Sequence, residues 1–281
     1  MLDRQLPYLI AEIGINHNGD LDTAKKLIEI SKDCGFDAVK FQKRTVETVY
    51  SEEELEKPRE SIFGSKNRDL KIGLEFGLNE YQEIDIFCKN IGITWFASPW
   101  DLESVDFLKD FELPVYKVAS ACLTDSNLLR KIRDTEKSII LSTGMSTLHQ
   151  IEMALKIVGE ERTTLLHCVS TYPALNTELN LSVIDTLRSS FGLPVGYSGH
   201  EKGILPSVIA ASKYKAAIIE RHVTLDRTMW GSDQSASLEP AGMAKLVQYL
   251  KESSECIGDN KKRILDSEVP ILNKLRRVKD F

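Results

Sequence analysis

Short runs of apolar and β-branched residues alternate with amphipathic stretches along nearly the whole chain. This alternation is typical of repeated βα units, because buried parallel strands are apolar throughout whereas the helices that cover them are apolar on one face. Eight units can be counted, which predicts an α/β fold and a closed (β/α)8 barrel of the TIM type rather than an open doubly wound sheet. The predicted strands are Tyr8–Gly14, Ala38–Gln42, Thr94–Pro99, Val115–Ser120, Ser138–Thr143, Thr163–Val169, Pro194–His200 and Ala217–Leu225.

The first amphipathic stretch shows why helices are predicted between the strands. Leu21, Ala24 and Leu27 recur near helical spacing, and charged residues fill the opposite face. Asp20 is placed to cap the start of this helix and Gly35 to end it. The sequence contains neither a G-x-G-x-x-G nor a Walker loop, so the common nucleotide-binding folds are not favoured.

Length fits a single domain, since a barrel of this kind takes ~250 residues and the chain has 281. Residues 1–255 are predicted to form the barrel, and residues 256–281 a short C-terminal extension. Residues 45–77 are long, charged and poor in periodicity. Because long insertions in compact domains are often functional, a lid or substrate loop is one interpretation, and a surface insertion is the other.

Net charge and the pattern of cysteines indicate which kinds of binding partner and which cellular compartment to expect. The net charge is −6 and the basic residues are dispersed, so no nucleic-acid partner is expected. The five cysteines are widely separated without a C-x-x-C pair, which favours a reducing cytoplasm. No signal peptide is recognised and no run approaches the ~20 apolar residues that span a bilayer, so no membrane partner is expected.

Polar residues collect where the predicted strands end, and in a (β/α)8 barrel those ends form the active site. Every strand contributes at least one such residue. They are Glu12 and Asn16, Lys40 and Gln42, Ser98, Lys117 and Ser120, Ser142, Ser170 and Tyr172, Ser198 and His200, and Glu220 and His222.

Two of these residues, Lys40 and Lys117, lie within apolar strand runs. Buried lysines are rare unless they are paired or functional, because an unpaired buried charge costs several kcal/mol. The pattern favours an anion site over structural ion pairs, which remain the alternative. Two ammonium groups and several hydroxyls suit a phosphate together with a carboxylate, the two anions of phosphoenolpyruvate.

His200 and His222 end neighbouring predicted strands, so their imidazoles are expected to meet over the mouth of the barrel. Imidazole is a good ligand for divalent transition metals, and carboxylates or water can complete the shell. A pair of packed core histidines is the alternative interpretation. His167 is expected to pack within its strand, and His149 to be solvated.

Seven motifs, in order and spanning most of the chain, give a resemblance to the sialic acid (N-acetylneuraminate) synthases and related nonulosonate synthases. They are Ala11–Gly19 (AEIGINHNG), Val39–Gln42 (VKFQ), Tyr116–Ser120 (YKVAS), Leu141–Met145 (LSTGM), Leu166–Pro173 (LHCVSTYP), Gly196–His200 (GYSGH) and Ile219–His222 (IERH).

The resemblance implies a TIM-barrel enzyme with a divalent metal, Mn²⁺ or Mg²⁺, held by His200 and His222. It implies that phosphoenolpyruvate binds to a set of lysines, serines and a glutamine, and that four residues serve catalysis or face the sugar. The phosphoenolpyruvate set is Lys40, Gln42, Ser98, Lys117, Ser120, Ser142, Ser170 and Ser198, and the catalytic set is Glu12, Lys40, Tyr172 and Asp233.

Three features depart from the family's pattern. Cys122 stands where an acidic residue that touches the sugar is usual, and Gly199 stands where aspartate is usual. The chain also stops near Arg276, where typical members continue into an antifreeze-like domain. The expectation is a barrel without that domain, with weak or altered affinity for the acceptor sugar.

The predicted function is metal-dependent condensation of phosphoenolpyruvate with an open-chain amino sugar, N-acetylmannosamine or a related hexose derivative. The products would be a nonulosonic acid and phosphate, and the expected assembly is a cytoplasmic homo-oligomer, a dimer or tetramer. Two alternatives remain. One is a Schiff-base pyruvate aldolase that uses Lys40 or Lys117. The other is a non-catalytic barrel that binds sugar or phosphoenolpyruvate and needs a separate partner domain.

Overall fold

A computed structural model describes residues 6–278, and an eight-stranded parallel sheet runs through them. The strands follow the order β5-β2-β1-β10-β9-β8-β7-β6, and β5 and β6 lie side by side, so the sheet curls into a nearly closed barrel. A two-stranded antiparallel hairpin, β3 and β4, lies outside it. The strands are β1 (Tyr8–Gly14), β2 (Ala38–Lys43), β3 (Pro58–Ser61), β4 (Gly64–Lys66), β5 (Thr94–Pro99), β6 (Val115–Val118), β7 (Ser138–Ser142), β8 (Thr163–Cys168), β9 (Val195–Gly199) and β10 (Ile218–His222).

Helices follow the barrel strands and cover the outside of the sheet, which confirms the predicted (β/α)8 class. The helices are α1 (Leu21–Asp33), α2 (Val46–Val49), α3 (Glu52–Leu55), α4 (Asn67–Gly73), α5 (Leu78–Ile91), α6 (Leu102–Lys109), α7 (Ser126–Arg133), α8 (Leu148–Val158), α9 (Val183–Phe191), α10 (Leu205–Ser212), α11 (Pro240–Ile257) and α12 (Val269–Leu275). No helix in residues 6–278 is long and apolar enough to cross a membrane.

Helix α1 forms as its sequence predicts. The Asp20 side chain accepts a hydrogen bond from the Thr23 amide at the helix start, and Gly35, with φ +92°, follows its end. Ala24, Leu27 and Ile28 are buried against the sheet. The apolar stripe therefore determines which face of the helix meets the barrel.

The predicted strands agree with the observed ones to within a few residues at their ends. Ser120 and His200 follow β6 and β9 rather than ending them, since Ser120 begins a short 3₁₀ helix, Ser120–Cys122. Helix α11 runs to Ile257, two residues past the predicted end of the barrel at residue 255. The outermost residues of the predicted domain ranges, 1–5 and 279–281, lie outside the described residues.

The segment of residues 45–77 folds into α2, α3, the β3–β4 hairpin and α4. The ring of Phe63 lies against the backbone of Gly73 and Gly19, where an added Cβ would come within 2.2 Å and 2.9 Å of ring atoms. Phe63 also contacts Trp230 edge to face, with ring centroids 6.3 Å apart. The hairpin thus packs on the loops after β1 and β10, beside the barrel mouth.

Candidate active site

The C-terminal ends of the barrel strands enclose a cavity of about 180 Å³. Larger depressions of about 600 Å³ and 670 Å³ lie against the C-terminal segment, away from the strand ends. The smaller cavity is the candidate site because buried lysines, glutamates and imidazoles converge on it. The predicted site residues that line it are Glu12, Lys40, Gln42, Ser98, Lys117, Ser120, Ser142, Ser170, Tyr172, Ser198, His200 and His222.

The floor of the cavity carries two buried lysines and two buried glutamates. Lys40 forms an ion pair with Glu12 and lies 3.9 Å from Glu220, and Lys117 lies 3.5 Å from Glu220. Ser198 donates to the Glu220 carboxylate at 2.9 Å. Both lysines therefore have carboxylate partners within the protein. Structural ion pairs of this kind were the alternative to an anion site in the sequence analysis.

Electrostatics in this cluster separate the two lysines. Burial disfavours the charge of Lys40, but Glu12 and Glu220 outweigh it and raise the pKa of Lys40. Burial lowers the pKa of Lys117 by more than Glu220 raises it. Burial alone would raise the pKa of Glu220, yet Lys117 and Lys40 bring that pKa down to about 2. Glu220 is consequently a carboxylate at neutral pH, set between two cations.

Glu220 was absent from the predicted site set, although it was recognised as a polar residue at a strand end. The missed signal was its spacing from His222. Residues two apart on a strand share a face, so a site that includes His222 also receives Glu220. The structure places both in the cavity lining.

Hydroxyl groups gather around the backbone of Gly144 in the loop after β7. The Gly144 amide donates to Ser120 Oγ at 3.1 Å. A Cβ added at Gly144 would stand 2.3 Å from Ser170 Oγ and 2.8 Å from Ser120 Oγ, so any other residue would fill this space. With Ser142 and Ser198 nearby in the lining, the hydroxyls form a polar cradle suited to anionic oxygens.

The two imidazoles meet as the sequence predicted, with ring centroids 5.6 Å apart. His200 Nδ1 lies 2.6 Å from the Val169 carbonyl, and this bond assigns the proton to Nδ1. His200 Nε2 then accepts from the Tyr172 hydroxyl at 2.9 Å. Burial, together with His222, lowers the pKa of His200 to about 3, so the ring is neutral at neutral pH.

Asp233 does not line the cavity, but it lies beside the second imidazole. Its Oδ2 atom is 3.7 Å from His222 Nδ1, a ring nitrogen that is buried and makes no hydrogen bond. Asp233 therefore neighbours the candidate metal ligand without directly facing the lysines.

The donor set fits an open divalent-metal site. His222 retains a ring nitrogen without a hydrogen bond, whereas the Nε2 lone pair of His200 accepts from the Tyr172 hydroxyl and would bind a cation once that hydroxyl moves aside. Within residues 6–278 no cluster of three or more His, Cys, Asp or Glu side chains forms a closed site. The protein thus offers two imidazoles, and oxygens of water or substrate would have to complete the shell.

The rim of the cavity contains residues that the sequence did not single out. Arg44 stacks over the ring of Trp100 at 4.1 Å, and Trp100 lines the cavity. Arg44 also pairs with Glu75 and donates to Gln42, which in turn donates to Glu12 at 2.9 Å. The available signal was a tryptophan directly after a strand, although one aromatic residue in a loop is weak evidence for a site.

Two of the departures from the resemblance have a structural explanation. Cys122 is buried in the hydrophobic core rather than in the cavity lining, and burial raises the pKa of its thiol to about 11. Gly199 ends β9 and lies on the outer side of the barrel wall, next to Glu201. Cys122 therefore offers no charged group to a ligand.

A (β/α)8 barrel whose mouth joins buried lysines, clustered hydroxyls and two imidazoles is typical of TIM-barrel enzymes that act on anionic substrates. The chain belongs to the NeuB family, whose sequence profile matches residues 27–262. Curated relatives are similar over almost the whole chain. An N,N'-diacetyllegionaminic acid synthase of Campylobacter jejuni is 39% identical, covering 96% of this chain and 83% of its own length. A human N-acetylneuraminate-9-phosphate synthase is 37% identical, covering 95% and 76%.

A solved structure has the same architecture. The N-acetylneuraminic acid (sialic acid) synthetase of Leptospira borgpetersenii, in complex with citrate, superposes with a TM-score of 0.83 at 33% identity. The match covers 98% of this chain and 94% of that one. This similarity confirms both the fold class and the family resemblance read from the seven motifs.

Proposed function

We propose that this protein condenses phosphoenolpyruvate with the aldehyde of an open-chain amino sugar, forming a nonulosonic acid and phosphate. The observation that carries the proposal is the single cavity in which Lys40, Lys117, the serine cradle and the two imidazoles converge. Relatives named as synthases of legionaminic, neuraminic and pseudaminic acids support the same chemistry. N-acetylmannosamine or a related hexose derivative is the proposed acceptor.

Binding of phosphoenolpyruvate would use the lysines and the cradle. The ammonium groups of Lys40 and Lys117 would face its carboxylate and phosphate, and Ser120, Ser142 and Ser170 would donate to the remaining oxygens. An incoming anion would compete with Glu220 for Lys117, because the Lys117 ammonium lies 3.5 Å from the Glu220 carboxylate. The site would thus exchange an internal carboxylate partner for a ligand.

The reaction forms a bond between the methylene carbon of phosphoenolpyruvate and the aldehyde carbon of the sugar. Water then adds to the cationic enol carbon, and the C–O bond to phosphate breaks to leave the ketone. Glu12, which contacts Lys40 and Gln42, would accept the proton that the adding water releases, and the aldehyde oxygen would take up a proton to become a hydroxyl. The Tyr172 hydroxyl and Asp233 would orient the sugar hydroxyls above His200 and His222.

A divalent cation, Mn²⁺ or Mg²⁺, would be held by His200 and His222 and would supply Lewis-acid polarisation of the aldehyde oxygen. Substrate binding and proton transfer would be carried out by the protein side chains. Because burial lowers the pKa of His200 to about 3, protons would not compete with the cation for that ring at neutral pH.

The test is a panel of aldoses assayed with the purified chain for phosphoenolpyruvate-dependent phosphate release, with Mn²⁺ and with a chelator. Release with at least one amino hexose, lost on chelation, is expected. Phosphoenolpyruvate binding without release for any aldose would favour a non-catalytic barrel. Borohydride trapping of a pyruvate adduct on Lys40 or Lys117 would favour the Schiff-base aldolase.

A homo-oligomer, a dimer or tetramer, is part of the proposal, because closed symmetric assemblies are the usual state of enzymes of this size. Sedimentation velocity at several protein concentrations measures it. A monomer at every concentration would contradict this part of the proposal and leave the reaction untouched.

A further inference from the structure

The barrel wall behind the two histidines holds an ion pair to which the proposed reaction gives no role. Arg221 Nη1 donates to Glu201 Oε1 at 2.9 Å, and both side chains are fully buried. Arg221 lies between Glu220 and His222 on β10, so its side chain points outward where theirs point into the mouth. Glu201 directly follows His200 in the chain.

The ion pair is connected on nearly every side. The Tyr197 hydroxyl donates to Glu201 Oε2 at 2.7 Å, and Arg221 Nη2 donates to the Glu201 carbonyl at 2.7 Å. Arg221 Nη1 also donates to the Gly203 carbonyl at 2.7 Å and to Ser207 Oγ at 2.9 Å. The network therefore joins β9, β10, the loop after β9 and α10 at one point.

Gly199 makes room for this arrangement. A Cβ added there would stand 2.7 Å from Glu201 Oε2, 2.9 Å from Tyr197 Cε1 and 3.0 Å from Arg221 Cδ. The carboxylate of Glu201 thus occupies the space that a side chain at position 199 would enter, the position where the resemblance expects aspartate. An acidic group faces Arg221 in this chain, but it comes from two residues further along.

The strand register turns the ion pair into a constraint on the histidines. Gly199 is paired with Arg221 across β9 and β10, so His200 and His222 are the next residues on the two chains. Glu201 directly follows His200, and Arg221 directly precedes His222, so the ion pair links the two segments that carry the histidines. The ring centroids of His200 and His222 are 5.6 Å apart. Separating Glu201 from Arg221 would remove the side-chain link between the two segments that carry the imidazoles and leave only the backbone pairing of β9 and β10.

We propose that the Glu201–Arg221 pair is the positioning unit of the metal site, which sets the spacing of His200 and His222 for one divalent cation. Glu201 and Arg221 touch neither the cation nor a substrate and act through the histidines. The inference rests on the proposed function in so far as these histidines bind a metal. The rival explanation is an ion pair that only stabilises the barrel.

Mn²⁺ titration of the purified chain without substrates separates the two explanations. Glu201→Gln keeps the shape and removes the charge, and it should weaken Mn²⁺ binding by roughly 10- to 100-fold, as loss of partners that orient metal ligands does. The visible absorption of the Co²⁺-loaded protein should change as well. Ile84→Ala, in α5 on a distant part of the barrel, is the control, which should lower the melting temperature and leave Mn²⁺ affinity unchanged.

Moving the carboxylate gives a second test. Gly199→Asp alone should weaken Mn²⁺ binding because it collides with Glu201, whereas Gly199→Asp combined with Glu201→Ala should recover most of the affinity that Glu201→Ala loses. A folded Glu201→Gln variant with wild-type Mn²⁺ affinity and Co²⁺ spectrum would overturn the inference. If Glu201→Gln does not fold, Tyr197→Phe replaces it, because this change removes the hydroxyl that donates to Glu201. Unchanged Mn²⁺ affinity of Tyr197→Phe would then overturn the inference.

Failure of the inference and failure of the proposed function give different results. The wild type could release phosphate and yet bind Mn²⁺ no more tightly than Glu201→Gln does. This result would refute only the positioning role. Variants that lose Mn²⁺ while no aldose supports phosphate release by the wild type would uphold the positioning role and refute the synthase. A wild type that binds no Mn²⁺ would refute the positioning role together with the metal site.

Discussion

Lys40 and Lys117 look alike in the sequence, as single cations inside apolar strands, but their surroundings differ. Lys40 has two carboxylates within 3.9 Å and Lys117 has one at 3.5 Å. The pKa of Lys40 is accordingly raised and that of Lys117 is lowered by burial. Lys117 has fewer internal partners, so its charge depends more on a bound anion.

Replacing Lys117 by methionine is expected to weaken phosphoenolpyruvate binding strongly and to affect the acceptor sugar little. An ion pair between a buried charge and its ligand is worth about 2 to 5 kcal/mol when one partner is removed. Titration calorimetry with phosphoenolpyruvate measures the change, and Lys89→Met, on the exposed face of α5, is the control. An unchanged dissociation constant would exclude Lys117 from the anion site.

His200→Ala and His222→Ala should each abolish metal-dependent phosphate release while the circular dichroism spectrum remains native. Each variant removes one of the two imidazoles that the protein offers, and an open site has few other protein ligands to lose. The corresponding change at the exposed His149 should leave activity intact. Near-normal turnover of either variant in the presence of a chelator would show that the metal assignment is wrong.

At the scale of elements, strand ends were well predicted and the insertion between β2 and α5 was not. Residues 45–77 lack a clear hydrophobic period, because their short helices and hairpin pack through a few contacts rather than along a continuous face. The position of Phe63 over Gly19 and Gly73 is such a contact. It joins residues far apart in the sequence, so no local pattern reveals it.

Phe63→Ala should loosen the hairpin and raise the Michaelis constant for the acceptor sugar, with little change in that for phosphoenolpyruvate. The physical reason is that Phe63 contacts Trp230, in the loop that carries Asp233 beside His222. A loss of about 1 to 3 kcal/mol in the free energy of unfolding is expected from the lost burial.

The neighbouring Ile62 supplies a matched control for that change, since its side chain is 79% exposed. Ile62→Ala should alter neither the kinetics nor the stability. Steady-state kinetics with each substrate varied in turn distinguishes the cases. Equal Michaelis constants for Phe63→Ala and wild type would show that the hairpin is a surface insertion without a role in acceptor binding.

At the scale of the whole molecule, a buried neutral histidine links stability to pH. His17 stacks on Phe76 with ring centroids 4.0 Å apart and accepts a hydrogen bond from the Gly19 amide. Burial lowers the pKa of His17 from 6.5 to about 3. Between those values the unfolded chain binds a proton that the folded chain does not, so the free energy of unfolding falls as the pH falls.

The variant His17→Gln should therefore show a flatter pH dependence than wild type. Below pH 6.5 the free energy of unfolding of the wild type should fall by up to about 1.4 kcal/mol more per pH unit than that of the variant. At pH 7 the variant should be the less stable of the two. Urea unfolding at pH 7, 6 and 5 measures the difference. Parallel stability curves would show that His17 does not titrate in this way.

The sequence by itself determined the (β/α)8 fold, the strand assignments and most of the cavity lining. Strand periodicity fixes which residues share a face, and parallel strands in a barrel bring their C-terminal ends to one mouth. Twelve predicted site residues could therefore be found in one cavity without knowledge of any contact.

Tertiary structure decided what those residues do to one another. The placement of Glu220 between two lysines, the burial of Cys122 in the core and the carboxylate of Glu201 beside Gly199 all depend on side-chain packing. Contacts of this kind join residues from different βα units, and their distances follow from register and packing. Local hydrophobic patterns show where a strand ends, but a difference of a few ångströms at that end decides whether a charge meets a partner, a ligand or the core.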